Sequence, residues 1–407
     1  MKEAVESGQL VMLGVVQEQH PDRTRLYAQW QQLQWPILHD PINVIETAAV
    51  PMFVAIDEHG IVRSTRANAR TFADEFLNKE FADDATAEVE PAFTADIDAW
   101  QDFAKHFESQ AATDALVADV GKQRAANIAR GYADGLMLWS EENVDDKAIA
   151  TYELSEQLWP RPLTRFRLGV AHRARYETPR GQSSDFQQAI DFWNSALAEE
   201  PNQYIWRRRI QQYGPRLIKP YPFYDWVETA QADVSARGEE PIALRAPLSP
   251  AEIARPARQF GEQASATNPD PDAKILRDTA GLIATEATVV STSDRQGVVA
   301  TIHFKFTPAQ LLKAHWNNEA EPMRLWIDPP EGWKVTQQLL EAPQGDAAET
   351  NEVRRLSVEI RSDKPITAPV KLSAFALYNV CEDLGGVCQF LRQDVSVEIK
   401  PPKYRNR

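Results

Sequence analysis

The sequence predicts a multidomain chain of α/β, then α, then β character. Strand and helix signals alternate over residues 1–80. A helical pattern with small residues at repeat-like intervals fills 81–235. Runs with period-two alternation fill 276–402, after a proline-broken connector at 236–275.

At 407 residues the chain is long enough for several domains. A net charge of -15 and a pI near 5.1 argue against nucleic acid or an anionic membrane surface as the main partner. No apolar run is long enough to predict a membrane-spanning helix, so no direct membrane insertion is expected. The first residues lack a basic stretch followed by an apolar core, so no signal peptide is read, which points to the cytoplasm. No phosphate loop, dinucleotide fingerprint or nucleophile elbow occurs, and no cofactor or metal is expected.

In the first segment, Leu10 to Val16 is a continuous apolar run of the kind expected in a buried parallel strand. Asp22 is placed to cap a helix reaching Leu33, and Pro36 to Asp40 reads as extended. Val50 to Asp57 and Ile61 to Ser64, joined by a turn ending in Gly60, predict a hairpin. A closing helix is expected from Ala67 to about Asn78. His20, His39 and His59 read as surface or capping histidines. Residues 72–100 are strongly acidic and read as a solvated linker and helix start.

In the helical segment, Gly135, Ala148, Tyr152, Ser155 and Pro160 make one loose unit. Leu168, Gly169, Ala189, Trp193, Ala196 and Pro201 make a second, with small residues where helices would approach and a proline where the unit ends. The three arginines 207–209, set among Tyr204, Trp206 and Tyr213, are expected to pair with the acidic helices. Tyr221 to Trp226 is expected to pack as a buried corner. In the last segment, strands are expected at 287–290, 297–306, 323–327, 353–360, 370–378 and 395–399. The stretch from His315 to Glu319 reads as a polar loop, without a second histidine at metal-ligand spacing.

The only two cysteines, Cys381 and Cys388, lie seven positions apart where a strand-like run reaches a turn. Gly385 and Gly386 between them let the chain fold back. A bond between them either staples a loop or switches it. Glu382 and Asp383 beside Cys381 are expected to raise its thiol pKa, with Arg392 offsetting this around Cys388.

The first segment resembles the second half of the thioredoxin/peroxiredoxin-like fold, carried by Ala49-Val50-Pro51, Met52 to Asp57 and Glu58 to Val62. The resemblance implies a cis peptide at Pro51. It also implies a β-α-β portion and a cysteine motif upstream of Glu3, so the natural polypeptide is expected to begin earlier or a partner chain to supply these strands. The segment itself holds no cysteine, so it lacks the thiolate that thioredoxin chemistry needs. The helical segment resembles tetratricopeptide repeats, which implies a peptide-binding face. The last segment resembles the immunoglobulin-like amino-terminal domain of the transmembrane thiol:disulfide interchange protein (DsbD) family, through Tyr378, Cys381, Gly386, Val387, Cys388 and Val395 to Ile399. That resemblance implies a redox pair at Cys381 and Cys388, a thioredoxin-like or membrane redox protein as partner, and an extracytoplasmic location. Two readings follow: a thiol–disulfide oxidoreductase, or a non-catalytic scaffold whose cysteines are structural.

Overall fold

The computed structural model describes residues 2–82, 103–140, 145–257, 260, 266–294, 296–382 and 387–403. Most of the acidic stretch, and the pair Gly385 and Gly386, lie outside the described residues. The chain mixes helices with antiparallel and parallel strands and divides into two compact units. The first contains Met1–Gly181, Glu199–Arg207 and Thr229–Arg245; the second contains Gln182–Ala198, Arg208–Glu228 and Ala246–Arg407.

The first unit opens with α1 (Lys2–Glu6), β1 (Gly14–Val16), α2 (Pro21–Trp30) and β2 (Ile37–His39). β1 and β2 pair in parallel, Gly14 opposite Ile37. Only the end of the expected strand at 10–16 pairs, and it is not buried: Val11 and Leu13 are 81% and 56% exposed. The reason is that β2 is the one strand paired with β1 among the described residues. α2 starts one residue before Asp22, with Pro21 supplying a preset helical φ. Asp22 therefore does not cap the helix; its carboxylate accepts the Arg245 N–H at 2.6 Å. The helix stops at Trp30, where Arg237 donates to the carbonyl oxygens of Gln29 and Trp30 at 2.9 and 3.2 Å, a cation on the negative end of the helix. The predicted hairpin is a short one, β3 (Ala55–Ile56) with β4 (Val62–Ser64). Its turn is held by Asp57, whose Oδ1 accepts the N–H groups of His59 and Ile61, each at 2.9 Å. The Val50–Pro51 peptide is cis. The expected closing helix is a single π turn, Ala73–Leu77.

The helices α3 (Gln110–Val120), α4 (Lys122–Trp139), α5 (Asp145–Leu158) and α6 (Pro162–Tyr176) follow in this unit. Ala125, Ala126, Ala129 and Ala133 form a small-residue face on α4, all buried. This face admits the α5 backbone closely enough for the Ser155 hydroxyl to donate to the Ala126 carbonyl at 2.9 Å. Within the packed helices sits an ionic group. Asp134 on α4 accepts Arg167 Nη1 from α6 at 2.6 Å and the Tyr152 hydroxyl from α5 at 2.7 Å. Arg167 also donates from Nε to the Ile42 carbonyl at 3.1 Å and from Nη2 to the Asn43 carbonyl at 3.3 Å.

Helices α7 (Asp185–Glu199), α8 (Tyr204–Gln211), α9 (Val227–Ala236) and α10 (Pro250–Ile253) precede the strands. Among the described residues the second unit holds two antiparallel sheets. One runs β5 (Ile283–Ser293), β6 (Val298–Pro308), β12 (Arg354–Ser362), β9 (Trp333–Val335). The other runs β10 (Leu339–Glu341), β8 (Arg324–Asp328), β13 (Val370–Glu382), β7 (Ala314–Asn317), β11 (Glu349–Thr350), with β14 (Cys388–Ile399) along the free edge of β13. β13 is long enough to carry β8 and then β7 on one edge and β14 on the other. Alternate residues of both sheets, among them Ile302, Phe304, Val358, Ile360, Ala376 and Tyr378, meet in one apolar core.

The other face of the four-stranded sheet is covered too. His303 is bonded through Nε2 to the Tyr213 carbonyl at 2.7 Å, and Gly214 approaches Thr301 so closely that a Cβ there would stand 2.1 Å from its Oγ1. This cover is why β6 is buried on both faces from Val298 to Phe304 although its sequence alternates polar and apolar residues from Thr301 onward. Two residues of the arginine run have defined contacts. Arg208 lies against the rings of Tyr221 and Phe223, at 3.8 and 4.0 Å from their centroids, and Arg207 donates to the Pro201 carbonyl. The supposed corner is half right, since Tyr224 is buried and Tyr221 exposed. Part of the proline-broken connector is likewise packed: Ala266 and Ile275 cover Trp326, Phe375 and Leu377, and Asp270 binds Arg392 at 2.8 Å.

Lys219 is buried in this unit, donating to the Ala251 carbonyl, and burial lowers its pKa to about 8 although Glu359 and Glu252 pull it upward. Unfolding returns it to about 10.5, so between these values the unfolded chain binds more protons. Stability should therefore rise with pH across that window. Relative to Lys219→Met, the natural chain should gain roughly 2–3 kcal/mol between pH 7 and 10, read by urea unfolding. Parallel pH curves for the two chains would refute this.

Candidate functional site

Cys381 and Cys388 are strand residues, the last-but-one of β13 and the first of β14, and not loop residues as the sequence implied. They face each other in register and form a disulfide with Cα atoms 4.0 Å apart. The spacing is that of a narrow cross-strand pair. Leu372, Ala374, Ala376, Tyr378 and Val380 point into the core, so the pleat turns Cys381 to the opposite face, with Phe375 and Leu377.

The two cysteines differ in access. Cys381 is 2% exposed, whereas Cys388 is exposed and is flanked by Val387 and Phe390, themselves 67% and 39% exposed. A thiol arriving from solution therefore meets Cys388 first, across an apolar rim.

Glu382 follows Cys381 in the chain, but their side chains leave the strand on opposite faces. Glu382 pairs with Ala314, whose methyl belongs to the core, and so leaves the strand on the other face. Asp383 lies outside the described residues. Arg392 does not serve Cys388 as the sequence suggested. It sits opposite Leu377, with its guanidinium 3.8 Å from the Phe375 ring centroid and bonded to Asp270 and Asp394, each at 2.8 Å.

The residue next to Cys381 on its other side is His315 of β7, which pairs with it directly. The stretch read as a polar loop is thus the strand that places an imidazole on the face of the disulfide. His315 Nδ1 lies 3.2 Å from the Lys313 carbonyl oxygen, and Nε2 is 3.6 Å from Glu349 Oε2 on β11. His315 and Glu349 are the site residues that reading the sequence missed. The alternation across Ala314–Asn317 is too short to tell a strand from a loop, and nothing in the sequence gives its register against β13.

Pro51 belongs to the first unit and the cysteines to the second. His20 is buried at the start of α2, His39 bonds the Glu18 carbonyl at 2.7 Å, and His59 the Phe81 carbonyl at 3.3 Å. Among the described residues no cluster of three or more histidine, cysteine, aspartate or glutamate side chains could hold a metal ion, and no helix is long and apolar enough to cross a membrane. No protein-family model matches the chain, and no curated protein matches it.

Proposed function

We propose that this chain takes part in thiol–disulfide exchange with a protein dithiol through Cys381 and Cys388. The supporting observation is the asymmetry of the pair: an exposed cysteine on an apolar rim, bonded to a buried one. In the step proposed, a partner thiolate attacks Cys388 Sγ and forms a mixed disulfide. The Cys381–Cys388 bond breaks and its electron pair leaves on Cys381 Sγ as thiolate. The second thiol of the partner then attacks the mixed disulfide, so the partner ends oxidised and the two cysteines reduced by two electrons. The resemblances to the thioredoxin-like fold, to tetratricopeptide repeats and to the immunoglobulin-like domain of interchange proteins agree with this reading and make a thioredoxin-like or membrane redox protein the partner.

A second reading has a specific observation behind it. The bond joins the two strands of one hairpin at the end of their pairing, where a purely structural staple would also sit. The reduction potential separates the two. A value above about -300 mV, within reach of protein dithiols, is expected for exchange; a lower value marks a structural bond and defeats the proposal.

A further inference from the structure

We infer that His315, carrying a proton, stabilises the thiolate that exchange leaves on Cys381, and so sets which cysteine departs and how readily. The inference rests on the exchange reading above. Its basis is register. Cys381 has two direct cross-strand neighbours, Cys388 on β14 and His315 on β7. Side chains directly opposite in antiparallel strands share a face, with Cβ atoms about 4.5–5.5 Å apart. The imidazole therefore borders the sulfur that is released, not the one that is attacked.

The groups around His315 suit this role. Glu349 of β11 faces Nε2 at 3.6 Å, a carboxylate placed to accept from that nitrogen. The Lys313 carbonyl fixes Nδ1 at 3.2 Å, so the ring is held in place before reduction. Glu382 of β13 leaves on the other face, opposite Ala314. Arg354 of β12 lies over the Trp316 ring, 4.3 Å from its centroid, on the core side of β7. His315 is the basic side chain closest in register to Cys381, and its side chain is only 14% exposed. Burial of Cys381 alone would push its thiol pKa up, and a cation within about 4–6 Å pulls it down by about one to three units. The two effects have opposite signs, so the direction found by experiment decides between them.

The test uses the full chain with Cys388→Ala, in which Cys381 is the one cysteine. Its thiolate is followed by ultraviolet absorbance against pH, which needs no access for a reagent. Cys381 is expected to titrate about one unit below the ordinary thiol value of about 8.5. Adding His315→Gln should cut the thiolate fraction at neutral pH about tenfold, and His315→Lys should restore most of it. A Cys381 that titrates at or above the ordinary value with His315 intact overturns the inference, whatever the variants do. So does an unchanged curve in a folded His315→Gln chain. Exchange with dithiols that persists alongside either result removes only the role of His315. A normal low titration in a chain whose disulfide never exchanges removes the exchange reading instead.

Discussion

Replacing Asp134 with alanine should destabilise the first unit by about 3–5 kcal/mol, the largest stability loss expected of any single substitution considered. The carboxylate is buried at the meeting of three helices, where it accepts from Arg167 and Tyr152. Burial pushes the Asp134 carboxyl up from its ordinary pKa, while the Arg167 charge and the Tyr152 hydrogen bond oppose that rise. Burial also pushes the Tyr152 hydroxyl well above its ordinary value, so that it remains a donor. Taking the carboxylate away leaves a guanidinium 2% exposed with only the exposed Glu46 carboxylate, 3.9 Å away, as counter-charge, and a hydroxyl without its acceptor. The loss should spread to the turn at Ile42 and Asn43, whose carbonyls the same guanidinium holds. Hydrogen exchange is the fitting measurement, because it reads α4, α5 and α6 separately from the strands of the second unit. Protection there should fall by more than a hundredfold. The double replacement Asp134→Leu with Arg167→Met should cost less than the single one, since it leaves no buried charge unpaired. A loss under about 1 kcal/mol in the single variant would show that the ion pair is replaceable by water.

That network was not legible in the sequence, and the reason is physical. Tyr152 was visible as the large residue of a small-large-small pattern, and it is indeed buried beside Ala148 and Ser155. Its partners Asp134 and Arg167 lie 18 and 15 positions away on other helices, and no periodicity encodes which polar residues turn inward together. The strands show the same limit. Those with strong alternation, such as 297–306 and 370–378, fall within β6 and β13, with ends shifted by a few residues. The short β7, β9, β10 and β11 were missed, because two to four residues carry too little pattern to separate from a loop. The cysteine pair was visible as a pair but misplaced as a loop. Its parity against Tyr378 and Val380, core residues of the same strand, was available in principle. What could not be read was the pairing with β7, and hence His315, because register between distant strands depends on contacts formed only in the folded chain.

The two single-cysteine chains should behave as opposites toward a protein that carries a disulfide. With Cys381→Ala, Cys388 keeps its exposed position and can enter a mixed disulfide but has no neighbour to resolve it, so an adduct should accumulate. With Cys388→Ala, the remaining Cys381 is 2% exposed on its strand, and the adduct should form at least tenfold more slowly. The natural chain should show no lasting adduct, because the buried thiolate closes the bond again. Non-reducing electrophoresis reads all three, with each chain reduced beforehand and, as probe, a thioredoxin-like protein that keeps one cysteine, activated as a mixed disulfide with a small thiol that departs on attack. Loss of the disulfide also removes a cross-link across seven positions, a stabilisation of about 2–3 kcal/mol in the chain-entropy account, so each variant must first show native strand content. Both carry that loss equally, which is why their difference is informative. If a folded Cys388→Ala chain traps the probe as fast as the Cys381→Ala chain, access at the hairpin end does not select the attacked sulfur. If neither folded chain traps it, the bond is a staple, and the exposed rim formed by Val387 and Phe390 serves some contact other than exchange.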